Sequence, residues 1–431
     1  MSKPSPASEN PARQPSSRLR RILGMLGPGL VTGAADDDPS GIATYSQVGA
    51  QFGYGMSWAL MFGYPLLVSI QGVAAVIGAV TGKGIARNLR LHYPRWLLRV
   101  VVLMLVIANV INLGADLGAM GAALALLVGG PTLAYTFAFG VFSVLLEIFM
   151  SYERYASVLK WATLSLFAYV GVVLVVDLPV KEALHGLVVP TFAFDAAHAT
   201  ALVAVLGTTI SPYLFFWQAG QEVEEQRRRH TKPLHVTPRN KAAAEISRIR
   251  TDTLLGMGFS HVTALFVVFA TAATLHVHGV TTIHSAAEAA EALRPIAGPF
   301  AFLLFALGII GTGLLAVPVL AGSVAYALSE TFGWTEGLGH KPGEAKAFYG
   351  AIAVATFGGI GIAFLPIDPM KALYWAAVVN GVLAAPLMVV MMLIARNRKV
   401  MGTMTLSTPM TIMGWIATAV MAAASLTLFI V

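Results

Sequence analysis

The run Asp36-Asp37-Asp38-Pro39-Ser40-Gly41 sets three carboxylates beside helix-breaking residues, in a chain of which only 11% is charged. An apolar stretch, Ile22 to Ala35, precedes it, and a mixed stretch follows it. At ~1.5 Å per residue, a helix entering at Ile22 reaches the acids ~20 Å along, well inside a bilayer. Charge at that depth is costly and marks function by default. On an intact helix the three acids would fan over about 200° and could not share one cavity. Pro39 and Gly41 break the helix, which frees backbone carbonyls as further oxygen donors. The run Gly207-Thr208-Thr209-Ile210-Ser211-Pro212-Tyr213, followed by Gln218, Gln221 and Glu222, is a second proline-interrupted centre. Together the two offer carboxylates, the hydroxyls of Ser40, Ser211 and Tyr213, and carbonyls, with no Lys or Arg in either run. Such a site suits a cation. Hard oxygen donors favour Mg²⁺, Ca²⁺ or Mn²⁺ over Cu⁺ or Zn²⁺. The bland alternatives are an outer loop after a shorter first span, which leaves Tyr45 to Phe52 without a place, and a simple proline kink in the later run.

The elements that must position these residues are membrane helices. Hydrophobic residues make up 57% of the 431. A soluble domain carries about 25% charged residues, so a soluble enzyme is excluded, and the apolar content excludes disorder. The absence of cysteine excludes disulfides, thiolate metal sites and thiol nucleophiles. Eleven apolar spans are expected, near 22–51, 56–80, 100–128, 132–150, 157–177, 198–224, 253–275, 298–327, 347–365, 372–395 and 409–431. Residues 1–20 read as a disordered cytoplasmic tail without a cleavable signal, and 21–431 as one membrane domain. All but three of the 28 Lys and Arg residues, namely Lys181, Arg294 and Lys371, fall in the tail and the even-numbered loops. By the positive-inside rule this places the N-terminus in the cytoplasm and the C-terminus outside. The triplet Arg227-Arg228-Arg229 is then a topology signal rather than a nucleic-acid contact.

The two interrupted spans are the first and the sixth. Equivalent broken helices in two halves point to an inverted-repeat transporter with its site at the midplane. Repeat one would cover about 21–178 and repeat two about 197–396, with 409–431 an added helix. Weaker candidates surround this pair. Asp116, with Asn109 and Asn112 in span three, is a second-layer or proton-path candidate, and so are Gln218, Glu222 and Asn380, against simple helix packing. Glu147 reads as loop-facing, and His261 reads equally as a satisfied core histidine. His276, His278 and His284 lack metal-site spacing.

The stretch GPGLVTGAADDDPSGIATYSQVGA (27–50) resembles the first helix of the NRAMP divalent-metal transporters, whose signature there is Asp-Pro-Gly-Asn. VTGKGIARNLRLHYP (80–94) resembles their second helix and following loop, and Asn397 to Gly402 resembles a later loop of the family. The resemblance covers essentially the whole chain after the tail. It implies an all-α LeuT-like fold of about 11 transmembrane helices in two inverted five-helix repeats, with helices 1 and 6 unwound at the metal. It also implies a metal site at Asp38, Gly41, Thr208, Ser211 and Tyr213. Gly41 stands where the family has Asn. Ser211-Pro212-Tyr213 stands where it has Met-Pro-His, and Ala119 where it has Glu. The lost thioether implies weaker selection against Mg²⁺ and Ca²⁺, and the lost His and Glu imply weaker proton coupling. The pattern is similar to a divergent, magnesium-transporter-like branch of the family. Asp36 and Asp37 could compensate for the lost ligands by holding a hydrated ion.

The expected function is a secondary transporter or facilitator of divalent cations, with Mg²⁺ and Mn²⁺ favoured, in the plasma (inner) membrane. The alternative is a Na⁺- or H⁺-coupled carrier of a small organic solute on the same fold. A membrane sensor or inactive paralogue is a third class. No enzyme chemistry, cofactor, nucleic acid or obligatory protein partner is implied; the partners are the metal cation, as substrate, and the lipid bilayer.

Overall fold

The computed structural model describes residues 28–150 and 166–431. The tail and the first part of the fifth expected span, 157–165 of 157–177, lie outside the described residues. What is described is helical, with no strand among the described residues.

The first span is two helices, α1 (Pro28–Asp36) and α2 (Pro39–Phe52). Pro39 has no N–H and forces the preceding residue out of the helical region. Asp38 accordingly takes φ −74°, ψ 169° and caps α2 with its side chain. There follow α3 (Ser57–Thr81), α4 (Ile85–His92), α5 (Arg95–Val128), α6 (Thr132–Phe149), α7 (Phe167–Val175) and α8 (Val180–Val188). The sixth span is again two helices, α9 (Ala196–Thr209) and α10 (Pro212–Arg228). Pro212 opens the second half, and Ser211 is extended at φ −77°, ψ 133°. The second half of the chain continues with α11 (Arg239–Thr274), α12 (Ala301–Phe332), α13 (Lys346–Ala363), α14 (Pro369–Arg396) and α15 (Thr408–Ile430).

Nine of the described helical stretches are long and apolar enough to cross a membrane. The first span escapes that count because its three adjacent acids interrupt any apolar stretch long enough to cross, and the fifth because only α7 of it is described. Several helices outrun their apolar stretches. Residues 239–252 of α11 are polar yet helical, because hydropathy marks the hydrocarbon boundary and not the end of a helix.

The packing shows the internal repeat. α2 lies against α11, and a Cβ on Gly49 would come within 2.4 Å of Val268 O. α10 lies against α3, and a Cβ on Gly78 would come within 2.3 Å of Ala219 O. The second half of each broken helix thus presses, through a glycine, on the second helix of the other half. Small residues at such crossings are how membrane helices approach closely without a hydrophobic driving force between them. This exchange of partners holds the two breaks side by side in the middle of the bundle.

Candidate metal site

The break in α1–α2 turns its three acids in two directions. The Asp38 carboxylate is tied down locally, with Oδ1 accepting from Gly41 N at 2.7 Å and from the Ser40 hydroxyl at 2.7 Å. Its Oδ2 faces α5 and α10. Asn112 Nδ2 donates to it at 3.1 Å, and Tyr213 Oη approaches at 3.3 Å while also lying 3.2 Å from Ala35 O. Asp36 and Asp37 point instead to α11, where Ser260 Oγ lies 2.7 Å from Asp36 Oδ2 and 3.0 Å from Asp37 Oδ1. One hydroxyl has one hydrogen, so it can donate to only one of these two oxygens. All three acids are buried. Among the described residues, no three His, Cys, Asp or Glu side chains converge as a metal cage. The acids form one carboxylate at the helix break and a separate pair against α11.

A polar chain leads from Asp38 across the bundle. Asn112 Nδ2 also donates to Asp116 Oδ2 at 3.2 Å, and Asn380 Nδ2 on α14 donates to Asn112 Oδ1 at 3.1 Å. Asn112 thereby spends both amide hydrogens on two carboxylates, the strongest acceptors within reach. Asp116, expected near the site from sequence, reaches the break through Asn112 and through the backbone N–H of Ser40, and Asn380 through Asn112. Asn109, one turn away, stitches α5 to α12 through Leu320 O at 3.0 Å.

From the second break, Thr208 comes to the site. A Cβ on Gly41 would lie 3.3 Å from Thr208 Oγ1, 3.3 Å from Tyr45 Cε2 and 3.5 Å from Asp38 Oδ1. Gly41 therefore lets a carboxylate, a hydroxyl and an aromatic ring close in on one another, with less than ordinary van der Waals room for even a methyl group. Thr208 Oγ1 and Tyr45 Oη are buried with each other as neighbours, and Asp36 Oδ1, Asp116 Oδ1 and Asn380 Oδ1 are buried without a hydrogen-bond partner. Buried polar atoms are normally satisfied, so such a concentration asks for a ligand or water. The Ser211 hydroxyl is otherwise engaged. It lies 2.8 Å from Gly207 O and 2.9 Å from Thr208 O, and its one hydrogen serves carbonyls that the helix break would leave bare.

Gln218 and Glu222 sit on α10 away from Asp38, in a ring of contacts around the start of α1. Thr32 Oγ1 donates to Gln218 Oε1, and Gln218 Nε2 donates to Glu222 Oε1 at 3.3 Å. Arg248 on α11 reaches Glu222 Oε2 at 2.9 Å, Glu245 Oε1 at 2.7 Å and Asp252 Oδ2 at 3.6 Å. Asp252 Oδ2 closes the ring by accepting from Gly29 N at 2.8 Å. His261 Nε2 donates to Leu60 O as a packed core histidine, and His276 Nδ1 donates to Ala50 O at 2.8 Å.

Sequence reasoning missed Tyr45 and Ser260. Tyr45 lies seven residues after Asp38, two turns along one helix face, so its position was readable once the break was placed. Ser260 carries no local signal, because only the packing of α1 on α11 brings it to the acids.

The comparisons agree with this architecture. A family model described as natural resistance-associated macrophage protein-like (Nramp) matches residues 29–431. A divalent metal cation transporter, MntH, from Klebsiella pneumoniae (strain 342) is 28% identical over 417 residues, covering 94% of each chain. The MntH of Deinococcus radiodurans is 25% identical over 407 residues, covering 92% of this chain and 87% of the relative. A crystal structure of the Eremococcus coleocola manganese transporter, in complex with an aromatic bis-isothiourea substituted compound, superposes with a TM-score of 0.73 at 16% identity, over 96% of this chain and 88% of the other. Mhp1, a nucleobase-cation-symport-1 family transporter in a closed conformation, superposes with a TM-score of 0.57, also at 16% identity, over 94% and 92%. These superpositions show the LeuT-like fold, with its first and sixth helices unwound. The match of the family model from the first described helix to the last residue shows that the chain belongs to the Nramp family of membrane transporters rather than to any class of enzyme.

Proposed function

We propose that the protein carries a divalent metal cation, Mg²⁺ or Mn²⁺, across the plasma membrane as substrate, by alternating access around Asp38. The observation that carries this reading is the gathering of oxygen donors around Gly41. The Asp38 carboxylate and the Thr208 hydroxyl close in there, with the ring of Tyr45 beside them and no basic side chain among the hydrogen-bond partners of Asp38. One anionic ligand and several neutral oxygens suit a hard cation that keeps part of its water, as Mg²⁺ does. These donors include neither thioether nor imidazole, the softer groups that would favour a transition metal. The whole-length relatives that are divalent metal cation transporters support the same class of substrate.

The Lys and Arg asymmetry supports a cytoplasmic N-terminus and an external C-terminus. In that orientation the Thr32–Gln218–Glu222–Arg248–Asp252–Gly29 ring closes the cytoplasmic side, by holding α1 on α10 and α11. On the opposite side a cavity of about 330 Å³ opens among α5, α12 and α14, lined by Ala119, Thr132, Ser285, Phe305, Asp368 and Met370. Breaking the ring and releasing α1 would open the route inward. Ala119 leaves no carboxylate on α5 one turn beyond Asp116, which supports transport without obligatory proton coupling.

The deciding experiment is uptake into proteoliposomes of Mg²⁺, Mn²⁺ and Ca²⁺, with and without a pH gradient. Mg²⁺ flux that is lost on Asp38→Asn and indifferent to the gradient is expected. Mn²⁺ flux that excludes Mg²⁺ and acidifies the lumen would overturn the ligand argument. Uptake of an organic solute driven by Na⁺, with no metal flux, would overturn the substrate class.

A further inference from the structure

A second cavity lies on the outside of the bundle. A groove of about 370 Å³ runs between α3, α11 and α15, lined by Tyr64, Pro65, Val68, Leu254, Pro409 and Met413. Pro65 sits inside α3, where its missing N–H and its ring loosen the helix wall. Tyr64 Oη donates to Leu254 O at 2.8 Å and bridges one side. Leu254, Leu255 and Val262 on the same helix are exposed, as are Met61 and Phe62 on α3. In a membrane-spanning chain such a surface faces hydrocarbon, so an acyl chain is the natural filling.

The mouth of the groove is not apolar. Arg250 is exposed there, and it donates to Ser407 Oγ at 3.0 Å. Ser407 accepts this bond, and so keeps its own hydroxyl hydrogen to give. Arg250 lies ten residues along α11 from Ser260, which is ~15 Å from the level of the buried acids. That is half the ~30 Å hydrocarbon core, which puts the guanidinium at the headgroup layer of the leaflet on the basic side. Two residues away, Arg248 is held by Glu222, Glu245 and Asp252. Arg250 has no carboxylate within salt-bridge distance among the described residues. An uncompensated guanidinium beside a hydroxyl donor is a phosphate site, because its fork of N–H groups matches phosphate oxygens.

We propose that this groove binds one anionic phospholipid of the leaflet on the basic side. Its phosphate sits on Arg250 and Ser407, and one acyl chain lies between α3 and α15. The net charge at the mouth favours an anionic headgroup, since a zwitterionic one would bring its own cation against Arg250. The site stands apart from Asp38 and does not depend on which ion is carried.

Native mass spectrometry of the full-length protein, titrated with palmitoyl-oleoyl phosphatidylglycerol or phosphatidylcholine, tests this. The first phosphatidylglycerol should bind about fivefold or more tighter than phosphatidylcholine, the effect of one basic side chain at an anionic surface. Arg250→Gln should bring the ratio close to one, and Arg250→Lys should keep part of it. Met413→Trp, which fills the groove and leaves the charge, should weaken both lipids. Lys399→Gln, a basic residue outside the groove, should change nothing. Equal binding of the two lipids, or a preference that survives Arg250→Gln, would overturn the proposal. Displacement of phosphatidylglycerol by millimolar inorganic phosphate would also overturn it, since the site would then take a free anion rather than a lipid.

Discussion

Asn112 on α5 gives its two amide hydrogens to two carboxylates, Asp38 Oδ2 at 3.1 Å and Asp116 Oδ2 at 3.2 Å. It fixes the face that Asp38 offers to a cation and keeps the two acids from meeting directly. Asn112→Leu, close to isosteric, should remove this screen. A hydrogen bond to a charged group is worth about 1.5–3 kcal/mol, so the KM for metal uptake should rise by about tenfold or more. Uptake kinetics in proteoliposomes check this. An unchanged KM would mean that Asn112 only packs.

Gly41 lets Thr208 and Tyr45 close in beside Asp38. Gly41→Asn would place a Cβ 3.3 Å from both Thr208 Oγ1 and Tyr45 Cε2 and bring an amide oxygen to the ion. A hydrated ion loses room and a partly dehydrated one gains a ligand. Mg²⁺ uptake should therefore fall more than Mn²⁺ uptake, because Mg²⁺ dehydrates reluctantly. Competition between the two ions in one assay measures the shift.

Thr208 and Ser211 should separate function from stability. The Thr208 hydroxyl makes no bond to the backbone and meets the Tyr45 hydroxyl, so Thr208→Val should raise the KM for metal and change the melting temperature little. The Ser211 hydroxyl serves two backbone carbonyls at the break, so Ser211→Ala should lower the melting temperature, at a cost of about 1 kcal/mol for a lost hydrogen bond. Thermal unfolding in detergent, set beside uptake, reads both.

Arg248 ties α11 to α10 through Glu222 and lies beside Asp252, which accepts from Gly29 N on α1. Breaking a buried ion pair costs about 3–5 kcal/mol, and here the cost falls on the closed arrangement of α1. Arg248→Gln should make the α1 amides, Gly29 above all, exchange with deuterium much faster. Glu245→Gln, at the more exposed edge of the same cluster, should have little effect. Slow α1 exchange in Arg248→Gln would remove the gate reading of the ring.

The sequence by itself determined what is local. Pro39 and Pro212 break their helices whatever surrounds them, because a missing N–H and a ring clash act within one turn. The sparse charge placed the chain in a bilayer, and the Asp38 run, with no basic residue near it, announced a cation. The tertiary structure decided what depends on distant partners. It turned Asp36 and Asp37 toward Ser260 and left Asp38 alone at the break, a split that three adjacent identical side chains cannot express in sequence. It brought Tyr45 and Thr208 up against Gly41, and it drew Gln218 and Glu222 into a ring with Arg248 instead. These outcomes rest on which helix faces meet across separations of up to more than two hundred residues. That is set by the sum of many small packing contacts, which no local spacing records.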